Sequence, residues 1–283
     1  MYQNTITNDL QQIAEMLILN GTLTACPGLV HGKMGIAIFF FQYAHFTNNM
    51  LFADYALDLI EEIQKQIHAD SPADYERGIA GIGVGIEYLI RNNFLNVEDN
   101  IFEDFDKRMY RAVMYDPWID FSLYDGLTGY GKYWISRLYQ QPLCIQAQEC
   151  LQYITMKIKE NLQDLSEREQ TDIYCFFYDL HKLSNFNFSA KVLDIFKKYS
   201  AVANRNLSYF NNNINGNIIQ LYQQNKYVNN IYSDELDMAL KQITILNREI
   251  PPAEMGLLAG YAGEGLLRLS TLDATNISWM QLL

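Results

Sequence analysis

Gly28-Leu29-Val30-His31-Gly32-Lys33-Met34-Gly35 and Gly256-Leu257-Leu258-Ala259-Gly260-Tyr261-Ala262-Gly263 set three glycines at matching positions near the two ends of a 283-residue chain. Between them, glycine turns return at Arg77-Gly78-Ile79-Ala80-Gly81, Asp125-Gly126-Leu127-Thr128-Gly129 and Asn215-Gly216. From Gly32 onward the successive intervals are 46, 48, 90 and 44 residues, so the long one is two units of 45. A period in the mid-forties is the length of two helices and their turns, the unit of an α-hairpin repeat. A degenerate unit is then expected near residues 171–177, where Tyr174-Cys175-Phe176-Phe177 opens an apolar run, which makes six units.

The stretches between the turns divide into two kinds. Leu51 to Ile67 carries Phe52, Tyr55, Leu59, Ile63 and Ile67 at three- and four-residue steps against Asp58, Glu61, Glu62 and Lys65, the pattern of a half-wet outer helix. Ile36-Ala37-Ile38-Phe39-Phe40-Phe41 and Ile86-Glu87-Tyr88-Leu89-Ile90, which follow glycine turns, are apolar nearly all round and predict inner helices. Outer helices are expected near 5–19, 50–68, 97–115, 142–161, 187–204 and 232–246, and inner ones near 33–46, 79–92, 128–140, 174–184, 216–224 and 261–270. Strand alternation is scarce, so the fold class is all-α. The last unit is as apolar as the first, which an open stack with polar caps would not tolerate. A closed α/α barrel, or toroid, of about six helical hairpins therefore follows, as one domain over residues 1–283 without a Pro-, Ser- or charge-rich linker.

Composition narrows the partners. Lys and Arg number 21 against 33 Asp and Glu, a formal charge of −12 with a pI near 4.7. Such a field repels nucleic acid and anionic lipid. The run Ile36–Phe41 ends at Gln42, far short of the roughly 20 apolar residues of a membrane span. Four cysteines without a C-x-x-C pair, and no Lys or Arg among the first 32 residues to form a signal-peptide n-region, point to the cytoplasm with reduced thiols.

Inner helices that all start at the same kind of turn run in one direction and gather their N-termini at one end, where free N–H groups and dipole ends would favour anionic groups. The residues next to the turns converge there: His31, Arg77, Asp125, Cys175 by position, and Asn215. Asp125 is set where a helix start stabilises its charge. The glycines supply close approach and turns with positive φ. Gly81-Ile82-Gly83-Val84-Gly85 follows no strand and is not a nucleotide loop. His45, His68, His181, Cys26, Cys144 and Cys150 match no metal-ligand spacing.

The recurrent turn, Gly-x-x-His-Gly-x-x-Gly at Gly28–Gly35 and its echo at Gly256–Gly263, resembles the lanthionine synthetase C-like (LanC-like) family over nearly the whole chain. The resemblance implies an α/α toroid, usually of seven hairpins in that family, and a setting in ribosomal-peptide modification. Members that cyclise peptides hold zinc through a Trp-Cys-x-Gly turn and, one unit on, a Cys-His-Gly turn, and the metal activates a cysteine thiolate for addition to a dehydrated serine or threonine. The corresponding stretches here, Tyr174-Cys175-Phe176-Phe177 and Ile214-Asn215-Gly216, keep one cysteine and lack the Cys-His pair. A catalytic zinc needs three protein ligands, so no cofactor is expected, Cys175 being the one remaining candidate ligand. The implied function is a module that binds a peptide or a modification-enzyme partner, with Phe210–Asn217 supplying amide groups. Two alternatives stand beside it: a zinc-dependent lanthionine cyclase, and a carbohydrate-active α/α-barrel hydrolase or lyase using two of Asp74, Glu76, Asp120, Asp125, Asp172, Glu254 and Glu264.

Overall fold

A computed structural model describes residues 2–96, 101–183, 189–206, 214–228, 233–241, 243, 254–258, 260–272 and 274–283. Among them are twelve α-helices, one 3₁₀ segment and no strand: α1 (Tyr2–Gly21), α2 (Lys33–Thr47), α3 (Met50–Gln66), α4 (Ile79–Arg91), α5 (Glu103–Met114), α6 (Leu127–Gln140), α7 (Ile145–Glu160), α8 (Glu167–His181), α9 (Ala190–Asn206), α10 (Ile214–Tyr227), α11 (Ser233–Lys241), α12 (Tyr261–Leu272) and the 3₁₀ segment Ala274–Leu282. No described helix is long and apolar enough to cross a membrane.

The two layers expected from hydropathy are present. The even-numbered helices α2, α4, α6 and α12 are buried almost all round. The odd-numbered ones bury one stripe, as with Ala53, Ala56, Leu59, Ile60 and Ile63 of α3. Each inner helix packs on the outer helix that follows it, α2 on α3, α4 on α5, α6 on α7, α8 on α9 and α10 on α11. For α12 that partner is α1, from the other end of the sequence, and α12 also packs on α2. Arg268 of α12, 2% exposed, bridges Asp9 of α1 at 3.4 Å and Glu264 at 2.7 Å, so charge as well as apolar surface joins these helices.

Gly32, Gly78 and Gly126 cap α2, α4 and α6, all with extended backbone, and no described glycine has a positive φ. The expectation of positive-φ turns is thus corrected: these glycines serve close approach. A Cβ at Gly78 or Gly81 would overlap the carbonyl oxygen of Pro72 or Tyr75, because the turn folds back onto the helix start. A third set accepts rings. Gly83 of α4 takes the edge of Tyr133 of α6, Gly131 of α6 that of Phe176 of α8, and Gly265 of α12 that of Phe39 of α2. Phe39 and Tyr133 each lie seven residues after their capping glycine. Counting back seven from Phe176 sets the degenerate unit's origin at Glu169.

This register corrects the expected inner helix 174–184. α8 starts at Glu167 behind a capping box, in which the Ser166 side chain accepts from the Glu169 N–H and the Glu169 side chain accepts from the Ser166 N–H. The apolar run misled because the first two turns of α8 are polar yet helical. α10 likewise begins at Ile214, so Asn215 and Gly216 lie inside its first turn rather than ahead of it.

Candidate functional site

The turns ahead of α12, α2, α4 and α6 are joined side by side. Leu257 N–H donates to the Val30 carbonyl (2.8 Å), Val30 N–H to Glu76 (3.1 Å), and Tyr75 N–H to Tyr124 (2.8 Å). In the degenerate unit carboxylates do the same work, Asp172 accepting from Leu123 N–H (2.9 Å) and Glu169 from Phe121 N–H (3.3 Å). The helix starts therefore share one pole, as the sequence predicts for a common turn.

The expected basin of free N–H groups is corrected, however. The first N–H of each of these helices is already used: Lys33 donates to Cys26 O, Ile79 to Pro72 O, Leu127 to Asp120 O and Tyr261 to Glu254 O, at 2.9 to 3.2 Å. The second is used in three of them, Met34 to Pro27 O, Ala80 to Ala73 O and Ala262 to Met255 O. With those donors satisfied inside the turn, few remain for a ligand.

Three of the candidate residues stand on the surface of this pole. His31 Nε2 lies 2.8 Å from Glu76 Oε1, and Arg77 Nε lies 3.6 Å from Glu76 Oε2. Asp74 accepts from the Arg77 and Gly78 N–H groups (2.7 and 3.2 Å) and so fixes the turn. Asp125 is exposed on the next turn, its carboxyl pushed up by partial burial and by Glu76, Asp74 and Asp120. The rim is thus an acidic group of side chains with two basic ones set into it.

Cys175 is elsewhere. Six residues after its unit's origin, it lies in mid-α8 at the position held by Val84 in α4 and Lys132 in α6, and all three line the space between the inner helices. The expected grouping of Cys175 with the rim fails because α8 begins earlier than its apolar run. The Asn215 side chain and residues 207–213 lie outside the described residues.

This inner space holds two adjoining compartments that share Lys132, Ile135, Asp179, Lys226 and Gln281 in their walls, while a larger cavity of about 560 Å³ lies apart from them beside Ile67, Phe105 and Arg108. One compartment of about 60 Å³ is lined by Lys132, Asp172, Cys175, Asp179, Lys226 and Tyr227, with Met280 and Leu283 on one side. Asp179 Oδ2 accepts from Tyr227 (2.9 Å) and pairs with Lys226 (3.1 Å). Burial pushes the Asp172 carboxyl up to about 6 and brings the Lys132 ammonium down to about 8, Lys226 adding to the effect on Lys132. Burial, then Asp172 and Asp179, raises the Cys175 thiol well above its ordinary value, so it is held as the thiol.

The carboxylates nearest Cys175 already have partners. Asp172 already accepts a backbone N–H, Asp179 is engaged by Lys226 and Tyr227, and two lysines face Cys175 where a cation would sit. No group of three His, Cys, Asp or Glu among the described residues could hold a metal ion. Of the acids considered for glycoside hydrolysis, Asp74 and Asp120 accept turn N–H groups, Glu264 is bound to Arg268, and Glu76 pairs with His31. Lys132, Asp179 and Lys226 were missed in the sequence reading. Their signal was the lysine six residues after Gly126, where other units carry Ile38, Val84 and Leu266.

Compared with protein-family models and with curated proteins, the chain finds no match in either.

Proposed function

We propose that the chain is a closed α/α toroid of LanC-like type, six hairpins around one bore, acting in the cytoplasm as a peptide- or partner-binding module of ribosomal-peptide modification. Closure is supported by the packing of α12 on α1 and α2, by the Arg268–Asp9 bridge and by the Leu257–Val30 hydrogen bond.

The observation that carries the binding reading is the seating of the 3₁₀ segment among the inner helices. The Tyr75 hydroxyl donates to the Leu282 carbonyl at 2.8 Å, the Tyr88 and Ser278 hydroxyls are 3.2 Å apart, and the Trp279 indole N–H donates to Ser270 at 3.1 Å. Trp279, Met280 and Leu282 are buried. Main-chain hydrogen bonds combined with pockets for apolar side chains are how a cleft holds a peptide. The exposed rim of His31, Glu76, Arg77 and Asp125 adds charge for a partner. Zinc-dependent cyclisation is the alternative, and the prior engagement of Asp172 and Asp179 weighs against it.

Calorimetric titration with leader-type peptides tests the reading. Saturable heat is expected, weakened by Arg77→Ala and Asp125→Asn with unchanged thermal unfolding; heat of dilution alone overturns it. One tightly held zinc per chain on elemental analysis would favour the cyclase.

A further inference from the structure

We infer that a second compartment of the inner space, at the C-terminal ends of α4, α6 and α8, binds a small organic dianion, a phosphate monoester or a dicarboxylate, through Lys132, Arg91, Lys182 and Lys226. The compartment measures about 280 Å³ and adjoins the one beside Cys175. Volumes near 300 Å³ suit compact small molecules. This inference is independent of the peptide reading.

In a chain with 21 basic and 33 acidic residues, four basic side chains meet at this one cavity with two carboxylates, Glu87 and Asp179. Both carboxylates are committed, Glu87 Oε1 to Arg137 at 2.9 Å and Asp179 to Lys226 and Tyr227. Among the described residues, Arg91, Lys132 and Lys182 make no ion pair. Each lies over a tyrosine ring instead, Arg91 over Tyr139 (5.4 Å), Lys132 over Tyr75 (5.0 Å) and Lys182 over Tyr178 (4.4 Å). A cation resting on a ring face keeps N–H donors for an oxyanion.

Helix ends attract basic residues through the dipole alone, which accounts for Arg91, Lys182 and Lys226. It does not account for Lys132, the sixth residue of α6, at a position that is apolar in the units of α2, α4 and α12. Among the described residues Lys132 is in no direct ion pair, and burial outweighs the attraction of Asp179 and Asp172 to bring its ammonium down to about 8, a cost that an anionic ligand beside it would offset. A further group points the same way: Glu87 is 1% exposed and its Oε2 has no hydrogen-bond partner, leaving one oxygen of a carboxyl pushed up to about 7 by burial, which when protonated can donate to a ligand oxygen. The groups facing Lys132 are Asp179, Asp172 and Cys175 of α8 and Lys226 of α10.

Isothermal titration of the intact chain at constant ionic strength, with inorganic phosphate, glycerol phosphate and succinate as probes and sodium chloride as control, tests the site. One saturable site per chain is expected; binding confined to the phosphates assigns a phosphate ester, and binding confined to succinate a dicarboxylate. Lys132→Met should weaken binding at least tenfold, while Lys65→Met, an exposed lysine paired with Glu62, leaves it unchanged. At pH 8 binding should take up protons, seen as a dependence of the heat on buffer ionisation enthalpy, and Lys132→Met should abolish it. Heat no greater than that of chloride, or full affinity in Lys132→Met, overturns the inference. Should that variant not fold, Arg91→Met and Lys182→Met at the exposed rim carry the same expectation, and unchanged affinity in both overturns it.

Discussion

The ring edge of Phe39 fills the place where a side chain on Gly265 would begin, so that α2, near one end of the sequence, is keyed into α12, near the other. The same key recurs as Tyr133 into Gly83 and Phe176 into Gly131. An aromatic side chain entering a glycine notch brings two helix backbones close and fixes their register together.

Gly265→Ala is expected to destabilise the fold by about 1–3 kcal/mol, the usual cost of overpacking, although alanine by itself gains up to about 1 kcal/mol of helix propensity over glycine. Phe39 is fully buried and has nowhere to retreat. Urea unfolding of Gly265→Ala, Phe39→Leu and the double variant should reveal a favourable coupling. Additive losses would remove the keyed contact from the account.

Arg137 is 2% exposed, pairs with Glu87 and Asp106 at 2.9 and 3.0 Å, and lies over the Phe102 ring. Arg137→Met leaves two acids without their cation and should cost about 3–5 kcal/mol. Glu87→Gln keeps the Asp106 pair and should cost much less. Denaturant midpoints of the two variants decide the order.

Stability should vary with pH in two windows. The Glu87 and Asp172 carboxyls are raised by burial to about 7 and about 6, above their ordinary 4.5 and 3.8, so the folded chain keeps protons that the unfolded chain releases. Their contribution therefore falls as pH rises from about 4 to about 7. Lys132 has the opposite sense: lowered by burial from 10.5 to about 8, it loses its proton first in the folded chain, so stability rises between about pH 8 and 10.5. In thermal unfolding across pH, Lys132→Met should flatten the alkaline rise and raise the melting temperature at pH 7.

Cys175 and Cys144 are both partly exposed, but burial of the Cys175 thiol beside Asp172 and Asp179 raises it well above its ordinary value, so Cys175 should alkylate more slowly than Cys144. Mass spectrometry of iodoacetamide adducts at pH 7.5 reads the order directly. Modification of Cys175 ahead of Cys144 would mark it as reactive and reopen a catalytic role.

Removal of one hydroxyl tests the seat of the 3₁₀ segment. Tyr75→Phe leaves the Leu282 carbonyl unsatisfied and should cost about 1 kcal/mol, with hydrogen exchange rising in Ala274–Leu282 ahead of the inner helices. Unchanged exchange there would detach this bond from the seating of the segment.

The candidate site was only partly legible in the sequence. His31, Arg77 and Asp125 do share a rim, because each adjoins a glycine turn and the turns are bonded to one another. Cys175 was misassigned because hydropathy marks burial, not helix starts, and the polar opening Glu167-Arg168-Glu169-Gln170 of α8 reads as a loop until its capping box is seen.

The period of glycine turns and the alternation of wholly and half-apolar segments determined an all-helical, two-layered chain of repeated hairpins. Those signals are local, written in residues a few positions apart. Tertiary structure alone decided that α12 takes α1 as its outer partner, that the helix-start N–H groups are consumed within their own turns, and that Arg91, Lys132, Lys182 and Lys226 face one cavity. Each of these depends on contacts between residues tens to hundreds of positions apart, where separation along the chain carries no record of distance in space.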